Sequence, residues 1–203
     1  MAFDKDYHLS PKVLHDRTEK PRSYFVPFSS EQTDAALRGN RAESSRFISL
    51  CGEWKFRFYK APDLIGDFLD PGFSDADFDK ITVPRSWQTI PGYASPNYTN
   101  VTYPYPVDPP HVPSNNPSAL YSREFFLPAD YLGGRRIYIN FEGVDSCFYL
   151  YVNDRYAGYS QVSHSTSEFE LTGIVHKGIN RIRVLVFKWC DGSYLEDQDK
   201  FRF

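Results

Sequence analysis

Glu53-Trp-Lys-Phe-Arg-Phe58 is the stretch that decides the fold. Trp54, Phe56 and Phe58 alternate with Glu53, Lys55 and Arg57. A strand turns successive side chains to opposite faces, so this period of two is that of a strand with one face buried and one in water. Similar stretches follow it. Ile81-Thr-Val83 is a short one, and Ser122 to Leu127 is another. Arg136-Ile-Tyr-Ile-Asn-Phe141 alternates Ile137, Ile139 and Phe141, and Phe148 to Val152 alternates Phe148, Leu150 and Val152. Asn153-Asp154 supplies turn residues before Tyr156-Ala-Gly158, which predicts a hairpin. Glu168 to Leu171 is short, and Gly178-Ile-Asn180 is expected to turn into the strongest strand, Arg181-Ile-Arg-Val-Leu-Val-Phe187. Short strands separated by turn residues predict an all-β sandwich or jelly roll, and no strand–helix alternation points to a parallel sheet.

Composition agrees. Of 203 residues, 15 are Tyr, 17 Phe and 3 Trp, which favours strands, while 15 Pro disfavour helices. The length suits one large domain with a buried core. A net charge of -3 with no Lys/Arg block leaves no electrostatic footprint for nucleic acid. No apolar run approaches the ~20 residues of a membrane helix. The start, Met1-Ala-Phe-Asp-Lys-Asp6, lacks the apolar core of a signal peptide. Cys51, Cys147 and Cys190 are widely spaced and odd in number, so no zinc ribbon or disulfide framework is expected and a reduced, cytoplasmic setting is the simplest reading. The five histidines sit at no metal-ligand spacing and are expected at the surface or in loops.

Two regions break the strand pattern. Residues 1–47 are polar and irregular, with one short helix expected between Glu31 and Arg41, and read as an arm laid over something else. Residues 48–203 then form the sandwich. Within them, residues 89–119 make a long loop carrying eight prolines and several tyrosines. Loops of this length inside a compact domain are functional or packed on a partner. The final Lys200-Phe-Arg-Phe203 carries no turn or cap, which leads to the expectation of a truncated chain.

Two constellations bear on chemistry. Trp189-Cys-Asp-Gly-Ser-Tyr-Leu-Glu-Asp-Gln-Asp199 follows the strongest strand and places Asp191, Glu196, Asp197 and Asp199 within nine residues. Such a run suits a hard cation, sugar hydroxyls, or merely a solvated acidic turn. The second, Tyr98-Thr-Asn-Val-Thr-Tyr-Pro-Tyr-Pro106, offers the amide of Asn100 among Tyr98, Tyr103 and Tyr105. These tyrosines suit stacking on sugar rings or simply packing of the loop. No nucleotide-binding, zinc-protease or serine-hydrolase motif is present.

Taken in order, Gly52-Glu-Trp-Lys-Phe56, Val83-Pro-Arg-Ser-Trp-Gln88, Thr99-Asn-Val-Thr-Tyr-Pro104, Phe141-Glu-Gly-Val-Asp-Ser146, Gly158-Tyr-Ser-Gln161 and Asp191-Gly-Ser-Tyr-Leu-Glu-Asp-Gln-Asp199 resemble the N-terminal region of family 2 glycoside hydrolases of the β-galactosidase type. The resemblance implies a galactose-binding-domain-like jelly roll, followed in the parent protein by an immunoglobulin-like domain and a TIM barrel bearing two catalytic glutamates. It implies hydrolysis of terminal β-D-galactose with retention, no catalytic residue in this segment, and an inactive segment on its own. Asn100 matches a galactosyl contact, and Asp199 matches a residue that binds both sugar and sodium. Asp191 and Gln161 match ligands of a second, magnesium-type site, with Asp16 the candidate from the arm. The arm departs from the family pattern at Asp16-Arg-Thr-Glu-Lys-Pro21, where Lys20 stands in place of an amide. The arm also implies a homo-oligomer, a tetramer at full length. Two other readings stay open: a free-standing carbohydrate-binding module, and a mainly structural or oligomerisation domain of another family 2 glycosidase.

Overall fold

The structure, a computed structural model, describes residues 6–100 and 102–196. Its strands are β1 (His15–Asp16), β2 (Gly52–Tyr59), β3 (Asp79–Val83), β4 (Ser118–Leu127), β5 (Tyr138–Phe141), β6 (Cys147–Val152), β7 (Arg155–Gln161), β8 (Ser167–Glu170) and β9 (Gly178–Phe187). Seven of them form one antiparallel sheet in the order β1-β7-β6-β9-β4-β2-β3, and β5 and β8 pair as a second sheet. The fold is thus all-β. No described helix is long and apolar enough to cross a membrane.

The alternation in β2 is realised as expected. Trp54 and Phe56 are buried, Phe58 packs against the same cluster, and Glu53 and Lys55 are exposed. This cluster lies between the sheets. Phe148, Leu150, Ile182, Val184 and Val186 from the large sheet meet Ile139 and Phe169 from the small one. The strongest strand departs from simple alternation because both of its faces are covered. Ile182, Val184 and Val186 of β9 face the inter-sheet cluster, whereas Leu185 and Phe187 join Leu120, Tyr149, Tyr159, Ile65 and Phe68 on the other face. A strand buried on both faces reads as a continuous apolar run.

β6 and β7 form the expected hairpin. Asn153 and Asp154 take φ of 50° and 59°, the left-handed pair of a type I′ turn. β7 carries a bulge that shifts the register beside Gly158. Gly178 begins β9 itself, and the Asn180 side chain is buried, donating to His176 O at 2.7 Å and accepting from the His176 amide at 3.0 Å. The expected helix between Glu31 and Arg41 is a 3₁₀ turn, Ser30–Gln32, followed by α1 (Thr33–Arg38). It stops at Gly39, whose φ of 71° ends the helix in the left-handed region.

The arm is laid over the sandwich itself. β1 pairs with β7 through His15↔Ser160 and Asp16↔Tyr159. Thr18 then bridges to Phe169 in β8, and the Glu19 amide donates to Glu168 O at 2.8 Å. Arg22 holds the Glu168 carboxylate with two nitrogens, at 3.0 and 2.6 Å. The arm therefore laces the edge of the large sheet to the small one.

His8 corrects the expectation of surface histidines. It is 5% exposed, its ring stacks on Phe187 at 4.4 Å, and its Nδ1 lies 3.0 Å from the Tyr149 hydroxyl. Burial is the larger influence and pushes its pKa down from 6.5 to about 4, with the nearby Asp6 charge opposing. Between these values the unfolded chain binds a proton that the folded chain does not. The stability from neutral His8 is therefore full above pH 6.5 and is lost as pH falls toward 4. Acidification through this window is expected to weaken arm docking by about 2 kcal/mol, less than the pKa shift alone implies because the arm can detach locally. Amide exchange of residues 8–13 followed against pH checks this, and a replacement His8→Phe should flatten the dependence.

Candidate functional site

The acidic run begins where β9 ends, and the structure fixes that exit from the side. The Asn116 side chain donates from Nδ2 to Trp189 O at 2.7 Å and accepts from the Trp189 amide at 3.0 Å. Lys188 N donates to Pro117 O at 2.8 Å. The long loop thus continues the ladder past the last strand residue. Asp191–Tyr194 then form a 3₁₀ turn, with the Cys190 amide donating to Ser193 Oγ at 3.0 Å.

Within this turn Asp191 is buried, at 8% exposed. Its Oδ2 lies 3.4 Å from Gln161 Nε2, and its Oδ1 has no hydrogen-bond partner among the described residues. Burial raises its pKa, while Gln161 and the amides of Asp191 and Gly192 pull the other way. A carboxylate oxygen buried without a donor carries a full desolvation cost, which a cation would relieve. Gln161 Oε1 accepts from the Tyr159 hydroxyl at 2.9 Å, and the Gln161 amide donates to Leu14 O at 3.1 Å in the arm. The two residues matched to the second metal site are therefore neighbours, although they are far apart in sequence. Asp16 lies opposite Tyr159 on β1, and its Oδ2 accepts from the Tyr156 hydroxyl at 2.8 Å, so its carboxylate is turned away along β7. Among the described residues no group of three His, Cys, Asp or Glu side chains is arranged to hold a metal.

Asn100 lies in the long loop and is half-buried. The residues on either side of it are pinned to the acidic run. Thr99, 4% exposed, donates from Oγ1 to Glu196 O at 3.1 Å, and the Tyr103 hydroxyl donates to Tyr194 O at 2.5 Å. Tyr105 packs edge-on against Trp189 and Tyr194, with centroids at 5.1 and 5.6 Å. The Tyr194 hydroxyl in turn accepts from the Asp108 amide at 3.1 Å and donates to His111 O at 2.5 Å. Tyr103 and Tyr105 thus pack the loop, whereas Tyr98 is 62% exposed. Asp199 lies outside the described residues. Asp191, Gln161 and Asn100 share the end of the sandwich where β7 and β9 finish.

Several residues at this end carried no signal in the sequence. Lys188, the residue after β9, donates to Ser95 O and Asn97 Oδ1, both at 2.6 Å, and lies over the Trp189 ring. With Trp189 and Tyr105 it lines a surface hollow of about 360 Å³ beside the Asn100 loop. Glu196, which the sequence left as one of four carboxylates, has both carboxylate oxygens bound by serine hydroxyls. Cys147 and Cys190, distant in sequence, meet in the core as free, fully buried thiols, and burial is the first cause raising the Cys147 pKa, with Cys190 next to it. A far larger cleft, about 1610 Å³, opens between the sheets and is walled chiefly by apolar side chains such as Trp54, Phe125 and Val184.

The described residues form an all-β domain of two antiparallel sheets with a proline-rich loop clamped over a buried acidic turn at one end, and the comparisons give its family. Residues 47–203 match the model for glycosyl hydrolases family 2, sugar binding domain, and the chain belongs to that family. A beta-galactosidase of Actinobacillus pleuropneumoniae is 44% identical over 97% of this chain and 19% of its own length. One from Aeromonas hydrophila is 46% identical over 87% of this chain and 18% of its own length. The chain thus spans about a fifth of the length of these curated relatives. Among solved structures, a beta-glucuronidase from an uncultured Clostridium sp. covers 68% of this chain and 21% of its own at 20% identity, with a TM-score of 0.51. A beta-glucuronidase of Lactobacillus rhamnosus covers 69% of this chain and 21% of its own at 21% identity, with a TM-score of 0.52. These two likenesses bear on the fold.

Proposed function

We propose that this chain is the N-terminal sugar-binding domain of a β-galactosidase and that it lends substrate contacts to an active site built by the rest of the polypeptide. The observation that carries the reading is the joining of Thr99 to Glu196 across 97 residues, which seats the Asn100 loop beside the acidic run. The identity to two beta-galactosidases supports the choice of substrate.

In this reading the Asn100 amide donates to and accepts from galactosyl hydroxyls, and the Asp199 carboxylate accepts from them and holds sodium. When bound, the ion supplies a fixed positive charge for sugar oxygens. Neither residue transfers a proton. They orient the sugar and add binding energy that the chemical step draws on elsewhere. Asp191 and Gln161 offer hard oxygen donors to a magnesium-type ion, and the unpartnered Asp191 Oδ1 fits that role. Asp16, engaged by Tyr156, reaches such an ion only by changing partner. The acid/base and nucleophilic glutamates of a retaining mechanism belong to the remaining chain. The full-length protein is then a homo-oligomer, a tetramer, whose arm contributes to assembly.

Steady-state kinetics of the full-length enzyme on a nitrophenyl-β-galactoside test this. Asn100→Ala is expected to raise KM about tenfold, the loss of one buried hydrogen bond to substrate. Asp199→Ala should raise KM further and abolish the response to sodium. Turnover of lactose by the purified 203-residue segment would sink the proposal, as would wild-type kinetics in both variants.

A further inference from the structure

We propose that Glu196 is a positioning residue for the sugar contact at Asn100, an inference that rests on the reading of Asn100 given above. Glu196 is tied to three separate segments at once. Its Oε2 accepts from Ser146 Oγ at 2.8 Å and its Oε1 accepts from Ser163 Oγ at 2.9 Å. Its backbone carbonyl accepts from Thr99 Oγ1 at 3.1 Å. The loop after β5, the loop after β7 and the long loop bearing Asn100 therefore converge on one residue.

The clamp reaches back into the core. Ser146 Oγ also accepts from Ser193 Oγ at 3.2 Å, and Ser193 Oγ accepts from the Cys190 amide at 3.0 Å. Ser146 and Ser193 are 2% and 0% exposed. A continuous chain of hydrogen bonds thus runs from the Cys190 backbone to the Glu196 carboxylate. Ser146 Oγ also reaches Lys188 O at 2.9 Å and Asp145 Oδ1 at 3.2 Å, and of its three acceptors Glu196 Oε2 lies at the shortest distance. Fixing the side chain of Glu196 fixes its carbonyl, and the carbonyl fixes Thr99, the residue before Asn100. Tyr103 holds the other side of Asn100 to Tyr194 of the same segment. Asn100 is consequently flanked on both sides by residues tied to the acidic run.

The role is a geometric one. The hydroxyls of Ser146, Ser163 and Ser193 hold the carboxylate in place. Burial and the charge of Asp145 raise the Glu196 pKa against the pull of the serines. A glutamine keeps the shape, and a serine hydroxyl can reverse to accept from its amide. An alanine removes the clamp.

The test is steady-state kinetics of the full-length enzyme on a nitrophenyl-β-galactoside, with thermal unfolding measured beside it. Glu196→Ala is expected to raise KM about tenfold with kcat within about threefold, and Glu196→Gln should stay within about threefold of wild type in both. The rise from Glu196→Ala should largely vanish when measured in an Asn100→Ala background, since both changes remove the same contact. If Glu196→Ala fails to fold, Ser163→Ala serves in its place, with a rise of about threefold that likewise vanishes in the Asn100→Ala background. A wild-type KM in Glu196→Ala, or in Ser163→Ala where that stands in for it, while Asn100→Ala is impaired overturns the positioning role alone. A rise that adds in full to that of Asn100→Ala overturns it as well. An Asn100→Ala enzyme with wild-type kinetics overturns the reading of Asn100, and this proposal with it.

Discussion

Replacing Gly158 with alanine is expected to lower the stability of the chain by about 3–4 kcal/mol, beyond the ordinary cost of one added methyl group in a core. Gly158 stands where three elements cross. A Cβ built on it would lie 2.5 Å from Phe169 Cε1 and 2.6 Å from the backbone oxygen of Asp16. Real Cβ atoms do not approach so closely, and neither obstacle is a flexible side-chain tip. Phe169 is fully buried between the sheets, with Phe148 and Phe141 at centroid distances of 5.8 and 6.1 Å. The Asp16 carbonyl belongs to β1, which is only two residues long. The arm is thus the weaker obstacle and should yield, losing the β1–β7 pairing and the Thr18–Phe169 bridge together. Urea unfolding of wild type and Gly158→Ala measures the loss, and increased amide exchange at residues 14–19 locates it. A change below about 1 kcal/mol would mean that the crossing relaxes without strain.

Gly158 also shows what the sequence could convey. Tyr156-Ala-Gly158 reads as the second strand of a hairpin from its position after Asn153-Asp154, and the structure confirms this. Nothing local says that the glycine is there to admit a strand from 140 residues earlier. The strands were legible because each needs only its own alternation of side chains. Trp54, Phe56, Ile139, Phe148 and Leu150 all took the core positions that this period gives them. Where both faces of β9 are covered, the period fades and only the apolar run remains. The second cover comes from residues around Ile65, Phe68 and Phe73, a segment without regular periodicity.

The candidate site was legible as words and not as geometry. Asp191 and Gln161 came from the motifs that carry the family resemblance, and they are neighbours in space. Burial of Asp191 and half-burial of Glu196 were not readable, because a run of four carboxylates looks like a solvated turn. What hides them is the long loop, whose proline and tyrosine content announces packing without naming a surface. His8 escaped for a similar reason, since one histidine in a polar arm carries no period. Asn116 is the clearest case: in Ser114-Asn-Asn-Pro117 it is indistinguishable from any loop asparagine.

Asn116→Ala is accordingly expected to cost about 2–4 kcal/mol, a core-sized loss from a loop residue. The Asn116 side chain is 1% exposed and satisfies both the amide and the carbonyl of Trp189. It acts there as a piece of strand, since its amide group presents one donor and one acceptor side by side. Alanine leaves two buried backbone groups unpaired, and each costs about 1–3 kcal/mol without a replacement partner. Trp189 is itself buried at 8% exposed, so a compensating water has little access. Asn116→Asp separates the two bonds. It keeps an acceptor for the Trp189 amide but sets a carboxylate oxygen against the Trp189 carbonyl, and it should be at least as damaging as alanine near neutral pH and milder in acid. Thermal unfolding of both variants, with amide exchange at Trp189, measures the effect. The damage should spread to Asp191 and Tyr194, because the 3₁₀ turn follows directly on the backbone that Asn116 holds in line. Unfolding free energies within about 0.5 kcal/mol of wild type would show that Lys188 and the Tyr105–Trp189 contact suffice to place the acidic run.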